Sequence, residues 1–373
     1  MANHKFHPIA AALFCLVLLA GCSSKEEDTP TSEYDRKLML ANYADNLLLP
    51  GYIAFKAEVG EMATAITSFT ANPSSATLTN ARKEYQEAYL AWQTVSMYEF
   101  GPADEQMLRN TLNIYPVTVN QIESNVNSGT YDLGASANLA AQGFPAIDYL
   151  LFGQATQEAV VEKFASAAQA ANRKKYLQDI TAKIKQVVDA THTAWTSGNT
   201  AQSFRESGGT AVGSSVGNLV NQLNFEIDLT KRAKVGIPAG KFTAGTSQPE
   251  RTEAFYSKNS LALLKRNLEA NRAIFLGQSA AGVNGPGLDD YLNHVDAAKK
   301  YNGKSLAEAI TQQFDAALAA VNAITVPLSE AVSTQPQAVN KVYEELQKLI
   351  VLTKTDLPAA LGVSITYTDN DGD

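Results

Sequence analysis

Apolar positions return at three- and four-residue steps through most of this chain, the spacing that lays one stripe along an α-helix. Tyr85, Ala88, Trp92 and Val95 follow it, as do Leu177, Ile180, Ile184, Val187, Thr191 and Trp195, with Gly198 placed to end that helix. The second half repeats the pattern. Leu261, Leu264, Leu268 and Phe275 lead to Gly277, and Val339, Val342, Leu346 and Leu349 mark a last helix. Between them Ser305 and Glu308 form a capping box that opens a helix carrying Ile310, Phe314, Ala317 and Val321. Only Val363, Ile365 and Tyr367 alternate with polar neighbours, which allows one short strand near the C-terminus. Long helices without alternating strands predict an all-α fold of packed bundles.

One apolar stretch departs from the helical period. It runs from Ile9 to Ala20, follows Lys5 and ends in Leu19-Ala20-Gly21-Cys22. Too short to span a bilayer, it has the form of a signal-peptide core, so residues 1–21 read as a leader. The small residues before Cys22 fit a bacterial lipoprotein processing site, with Cys22 as the lipidated first residue of the mature chain. Residues 22–33 then hold the lipid and a polar, aperiodic tether. Lys25-Glu26-Glu27-Asp28 resembles the acidic export signal of surface lipoproteins in Bacteroidetes. The expected location is therefore the outer membrane, exposed at the cell surface; an ordinary solvated linker facing the periplasm is the other reading.

Composition supports an exported chain. Of its two cysteines, Cys15 leaves with the leader and Cys22 carries lipid, which excludes disulfides and cysteine metal sites in the mature protein. The net charge is −8, and losing Lys5 with the leader takes it to −9. That sign argues against nucleic acid and admits cations or basic ligands. Roughly 350 mature residues suffice for one large or two ordinary domains.

Candidate chemistry concentrates at positions 143 to 153, Gly-Phe-Pro-Ala-Ile-Asp-Tyr-Leu-Leu-Phe-Gly, which read as a short helix between two glycines. With other landmarks in order, this segment resembles the imelysin family. The landmarks are Ala91-Trp92, Glu99-Phe100-Gly101-Pro102, Ile114-Tyr115-Pro116, Gln121-Ile122-Glu123, Gly208-Gly209-Thr210 to Asn221, Glu253 to Ser257, and Gly285 to Asp289. The resemblance covers the chain from about Tyr34 onward and implies two helical-bundle halves with a cleft between them, placed at 34–205 and 206–373. It also implies a motif, Gly-x-His-x-x-Glu, whose His and Glu share a helix face and are thought to hold a metal. Here Gly143 is kept, but Pro145 stands at the His position and Asp148 at the Glu position. Proline has no ligating atom, so one short carboxylate remains, and Asp148 is a weak metal candidate. The candidate cleft residues are Gly143, Pro145, Asp148, Tyr149, Trp92, Glu99, Tyr115 and Glu253.

Other constellations compete. Asp290 lies one turn before His294, a pair that suits a metal or, more plainly, a capped and solvated helix start. His192 flanks an apolar stripe as a boundary histidine. Glu99, Glu123, Asp148, Glu226, Asp228 and Glu253 would hold iron or another divalent cation if they converged, and each singly reads as a solvated or salt-bridged residue. The glycines of 208–217 lack the Lys-Ser/Thr of a phosphate loop and instead suggest a close helix approach at 209, 213 and 217. Asp369 to Asp373 starts like a calcium loop and stops short. Two functions follow from the resemblance: a binding protein serving iron or haem acquisition, with iron, haem or peptide as ligand, and a metal-dependent peptidase using a carboxylate site. The binding reading is favoured, since a hydrolytic zinc site generally uses at least one imidazole.

Overall fold

The computed structural model describes residues 33–367, so the leader, Cys22, most of the tether and the Asp369–Asp373 tail lie outside the described residues. The stripes become helices. In the first half they are α1 (Arg36–Asn42), α2 (Leu49–Ala71), α3 (Ser75–Val95), α4 (Pro102–Glu105), α5 (Leu108–Leu112) and α6 (Val119–Ser128). There follow α7 (Gly143–Phe152), α8 (Gln157–Ala165), α9 (Ala170–Thr196) and α10 (Thr200–Glu206). The second half holds α11 (Ser215–Leu229), α12 (Ser260–Phe275), α13 (Leu288–Val295), α14 (Leu306–Asn322), α15 (Leu328–Thr334), α16 (Pro336–Ile350) and α17 (Leu357–Leu361). The fold is all-α.

The stripes meet as expected of amphipathic helices. α2 lies between α3 and α9, and its Phe55 meets Trp92 of α3 and Phe144 of α7 at centroid distances of 5.8 and 6.4 Å. α14 packs on α16 and α12, and the second core gathers Leu264, Leu268, Ala317, Val321, Val339, Val342 and Leu346. Each such fully buried Val, Leu or Phe contributes about 1.5–3 kcal/mol. From Asp35 onward the chain forms one compact unit, and α3 packs directly on α12. The Ser305 capping box is present, with Glu308 N–H on Ser305 Oγ at 3.2 Å and Ser305 N–H on Glu308 Oε2 at 2.8 Å.

Three helices widen into π-turns, at Tyr43–Leu48, Thr230–Gly236 and Val351–Asp356. Such turns add a residue to a helix and often mark functional sites. In the second of them Thr230, Lys231 and Lys234 are all buried, which carries two ammonium groups into the interior.

The C-terminal strand does not form. Among the described residues there are only isolated bridges, at Gln278 with Asn284 and Tyr301 with Lys304. Val363 to Tyr367 finds no strand edge to pair with. Asn221 of α11 takes that role instead: its Nδ2 donates to Ser364 O at 3.0 Å and its Oδ1 accepts from Thr366 N–H at 2.7 Å. The proposed close approach at 209, 213 and 217 also fails, because Gly209 and Gly213 lie in the loop before α11. A Cβ on Gly217 would meet Ala211 O of that loop at 2.9 Å.

Candidate functional site

The α7 segment is set by its first residue. Gly143 has φ +73° and rests on the carbonyls of Thr111 and Leu112, the end of α5. Phe144 then stacks on Tyr89 of α3 at 4.6 Å. At the other end Arg82 of α3 donates from Nε and Nη2 to Leu151 O at 2.9 and 2.7 Å, satisfying a carbonyl of the last turn.

This frame buries Asp148 against a loop from the second half. Its Oδ2 accepts Tyr256 N–H at 2.8 Å, and its Oδ1 accepts Ser257 N–H and the Tyr85 hydroxyl, both at 3.2 Å. The loop bends through two left-handed residues, Ala254 (φ 49°) and Lys258 (φ 59°), so Asp148 clasps a strained backbone. Burial raises the carboxyl from its ordinary 3.8 to about 6, against the pull of the Ser257, Tyr256 and Tyr85 donors. The fold thus favours the protonated acid. This contribution to stability is fully present below 3.8 and is lost as pH rises through about 6. Asp148→Asn cannot titrate. The stability of wild type relative to Asp148→Asn should therefore increase by up to about 3 kcal/mol on going from neutral pH to about pH 4; a difference that stays flat across that range in denaturant titrations would refute the assignment.

A cavity of about 30 Å³ adjoins Asp148, with Tyr115, Pro145, Glu250, Phe255 and Tyr256 in its lining. Tyr149 stands beside it, its ring edge-on to Tyr256 at 5.2 Å and its hydroxyl donating to Glu123 Oε1 at 2.7 Å. Arg173 completes that corner by donating to Glu123 Oε2 at 2.5 Å. Burial pushes the Glu123 carboxyl up, but the hydrogen bonds from Arg173 and Tyr149 outweigh it and hold the group below its usual range.

Behind the cavity runs a chain of buried polar groups. Glu253 is 1 % exposed; it accepts from Lys234 Nζ at 2.5 Å, Asn113 Nδ2 at 2.9 Å and Gln93 Nε2 at 3.3 Å. Lys234 also donates to Gln93 Oε1 at 2.9 Å, and the Tyr89 hydroxyl to Asn113 Oδ1 at 2.5 Å. A second cluster centres on Glu226, which accepts from Arg109 at 2.6 Å, Asn267 at 2.6 Å and Ser96 at 2.8 Å. Burial opposes the charge on Glu226, yet Arg109, Lys234 and the two neutral donors keep its carboxyl below the ordinary value. The Arg109 guanidinium lies 5.7 Å from the Trp92 ring centroid, and its backbone N–H donates to Glu99 Oε1 at 3.0 Å.

The predicted residues thus divide. Pro145, Asp148 and Tyr115 line the cavity, Gly143 positions α7, and Tyr149 and Glu253 flank. Trp92 and Glu99 belong to the Arg109 cluster instead. Gln93, Arg109 and Lys234 were not singled out in the sequence, and Tyr85 only as a member of the α3 stripe, since Tyr85, Arg109 and Gln93 meet Asp148, Glu226 and Lys234 across 63, 117 and 141 residues.

The residues present do not fit a hydrolytic zinc centre. Pro145 brings no donor atom, no imidazole lines the cavity, and both Asp148 oxygens already accept protein N–H or O–H groups. Nor do the other acids converge. Glu123, Glu226, Asp228 and Glu253 are paired with Arg173, Arg109, Lys231 and Lys234 in turn. Among the described residues, the group of three acids that approach one another within 4.8 Å is Glu58, Glu61 and Glu84 on α2 and α3, where Lys83 pairs with Glu84 at 2.8 Å. His294 is exposed, and Asp290 caps Gly287 N–H at 3.1 Å, the plainer of its two readings.

Comparison with known proteins agrees with this architecture. The chain is 22 % identical over 321 residues to Iron-regulated protein A of Synechococcus elongatus, covering 84 % of this chain and 85 % of that one. Its fold is similar to the crystal structure of a putative iron-regulated protein A precursor from Parabacteroides distasonis, with TM-score 0.73, 17 % identity and coverage of 88 % and 95 %. It is also similar to an imelysin-like protein from Psychrobacter arcticum, with TM-score 0.68, 15 % identity and coverage of 89 % and 97 %. The model of the Imelysin family matches residues 48–355, most of the chain and the whole of the α7 cavity, and the chain accordingly belongs to the imelysin family.

Proposed function

We propose that this chain is a cell-envelope binding protein serving iron or haem acquisition, and that it cleaves no bond at the α7 cavity. The donor set of that cavity carries the reading. With Pro145 at the histidine position and Asp148 saturated by Tyr85, Tyr256 and Ser257, no open metal position is left for activating water. The names of the Synechococcus and Parabacteroides proteins support the iron side. The leader and Cys22 support attachment by lipid, with the acidic tether directing the domain to the cell surface and the periplasmic face as the other arrangement.

Titrating the purified chain lacking residues 1–21 with ferrous iron, ferric iron and haem is expected to show saturable binding and no cleavage of unfolded protein substrates. Absence of binding at ligand concentrations far above physiological would sink the iron reading. Proteolysis that disappears together with bound metal in Asp148→Ala would restore the peptidase. Fatty-acid labelling of the full chain that persists in Cys22→Ala would remove the anchor.

A further inference from the structure

The α7 cavity has an unusual lining for its size. Its rings are Tyr115, Phe255 and Tyr256, its carboxylates are Asp148 and Glu250, and among the described residues no lysine, arginine or histidine contributes to it. About 30 Å³ is the space of one or two water-sized groups, far below what haem, a nucleotide or a hydrated metal ion needs.

We propose that the cavity recognises a primary ammonium group, caged by the rings of Tyr115, Phe255 and Tyr256 and faced by the carboxylates of Glu250 and Asp148. The proposal goes beyond the iron or haem reading above and names a separate ligand for this cavity. Three observations support it. Aromatic faces carry negative potential and attract cations, most strongly where water is excluded. An ammonium needs acceptors, and Glu250, Tyr115 and Tyr256 carry oxygen atoms among the lining residues. The hydroxyls of Tyr115 and Tyr256 have no protein hydrogen-bond partner among the described residues, and Glu250 is exposed at the cavity without an ion pair there. Above about pH 6, where it ionises, Asp148 adds negative charge without ligation, because its oxygens already accept protein donors and it forms no ion pair among the described residues. Nearby Glu253, by contrast, is neutralised by Lys234.

The shape also excludes. A trimethylammonium is several times larger than a water and has no N–H to offer Tyr115, Tyr256 or Glu250. A lysine side chain and an α-amino terminus present the same ammonium, and either satisfies the lining.

Calorimetric or NMR titration of the purified chain distinguishes these sources. The probes are Nα-acetyl-lysine amide, glycinamide, the neutral Nα-acetyl-norleucine amide, and Nα-acetyl-Nε-trimethyl-lysine amide. Saturable binding is expected for the first or the second, and whichever binds identifies the source as a side chain or a terminus. The neutral and trimethylated probes should bind at least about tenfold more weakly. Glu250→Gln and Tyr256→Phe should each weaken the preferred amine by about three- to tenfold. Both substitutions spare the fold, since Glu250 is exposed and the Tyr256 hydroxyl bonds no protein group. Equal binding of the norleucine probe, unchanged affinity in both variants, or no amine binding up to tens of millimolar would overturn the proposal. Iron and haem titrations of the same samples keep the two ideas separate: retained haem or iron binding with no amine binding removes only the ammonium pocket.

Discussion

Lys234→Met is expected to lower the unfolding free energy by about 3–5 kcal/mol, the usual cost of stranding one member of a buried ion pair. Its partner Glu253 would keep the amides of Gln93 and Asn113 but lose the only cation that touches it among the described residues. The hydroxyls of Tyr85, Tyr89 and Tyr115 already lie within its field: burial first and Glu253 after it hold Tyr89 and Tyr115 well above the ordinary pKa, and burial, then Asp148, then Glu253 do so for Tyr85. None of them can neutralise a stranded carboxylate. Removing both charges, in Lys234→Met with Glu253→Gln, should recover a large part of the loss, because a neutral amide at position 253 still meets Gln93 and Asn113. Denaturant unfolding checks both: the midpoint falls while the slope stays constant. Added salt should change little, since a buried pair is poorly screened. A single substitution costing under about 1 kcal/mol would show that the pair is solvated and behaves like a surface bridge.

Gly143→Ala should be nearly as damaging, for steric reasons. A Cβ built there stands 2.3 Å from Leu112 O and 2.7 Å from Thr111 O, both backbone atoms that cannot swing aside. The left-handed φ adds about 1–2 kcal/mol for any residue with a side chain, and overpacking adds about 1–3. The expected total is about 3–5 kcal/mol, accompanied by displacement of Pro145 and Asp148, which hang from the same turn. Gly60, inside α2, is the control: a Cβ meets nothing within 4 Å there, and alanine should stabilise by about 0.5–1 kcal/mol. If the two substitutions gave similar unfolding midpoints, the backbone contact between α7 and α5 would not be holding the motif in place.

What the sequence reveals follows from the range of the forces involved. The stripes of α3, α9, α12, α14 and α16 are local, and so is the Ser305 capping box; all were legible. The Val363 to Tyr367 alternation is equally local, but a strand needs an edge from elsewhere, and Asn221 satisfies those backbone groups instead. Pro145 and Asp148, paired in the motif, do line one cavity. The motif gave no hint that Asp148 would clasp the Tyr256 and Ser257 amides, a contact across 108 residues. Lys231 and Lys234 were hidden for a further reason. A lysine on a helix normally reads as solvated, and only the π-turn at Thr230–Gly236 brings both ammonium groups inside.

The polar chain behind the cavity also sets an order of assembly. A polypeptide emerging N-terminus first presents Arg109 with its counterion still 117 residues away, and Gln93 must wait 141 residues for Lys234. Until then α3 carries groups meant for an interior that does not yet exist. The early helices can collect their Phe, Trp and Leu contacts, but they cannot close. Completion falls to the last-made half, so a product truncated before α11 would leave Arg109 without its carboxylate and the amides of Gln93 and Asn113 without Lys234 and Glu253.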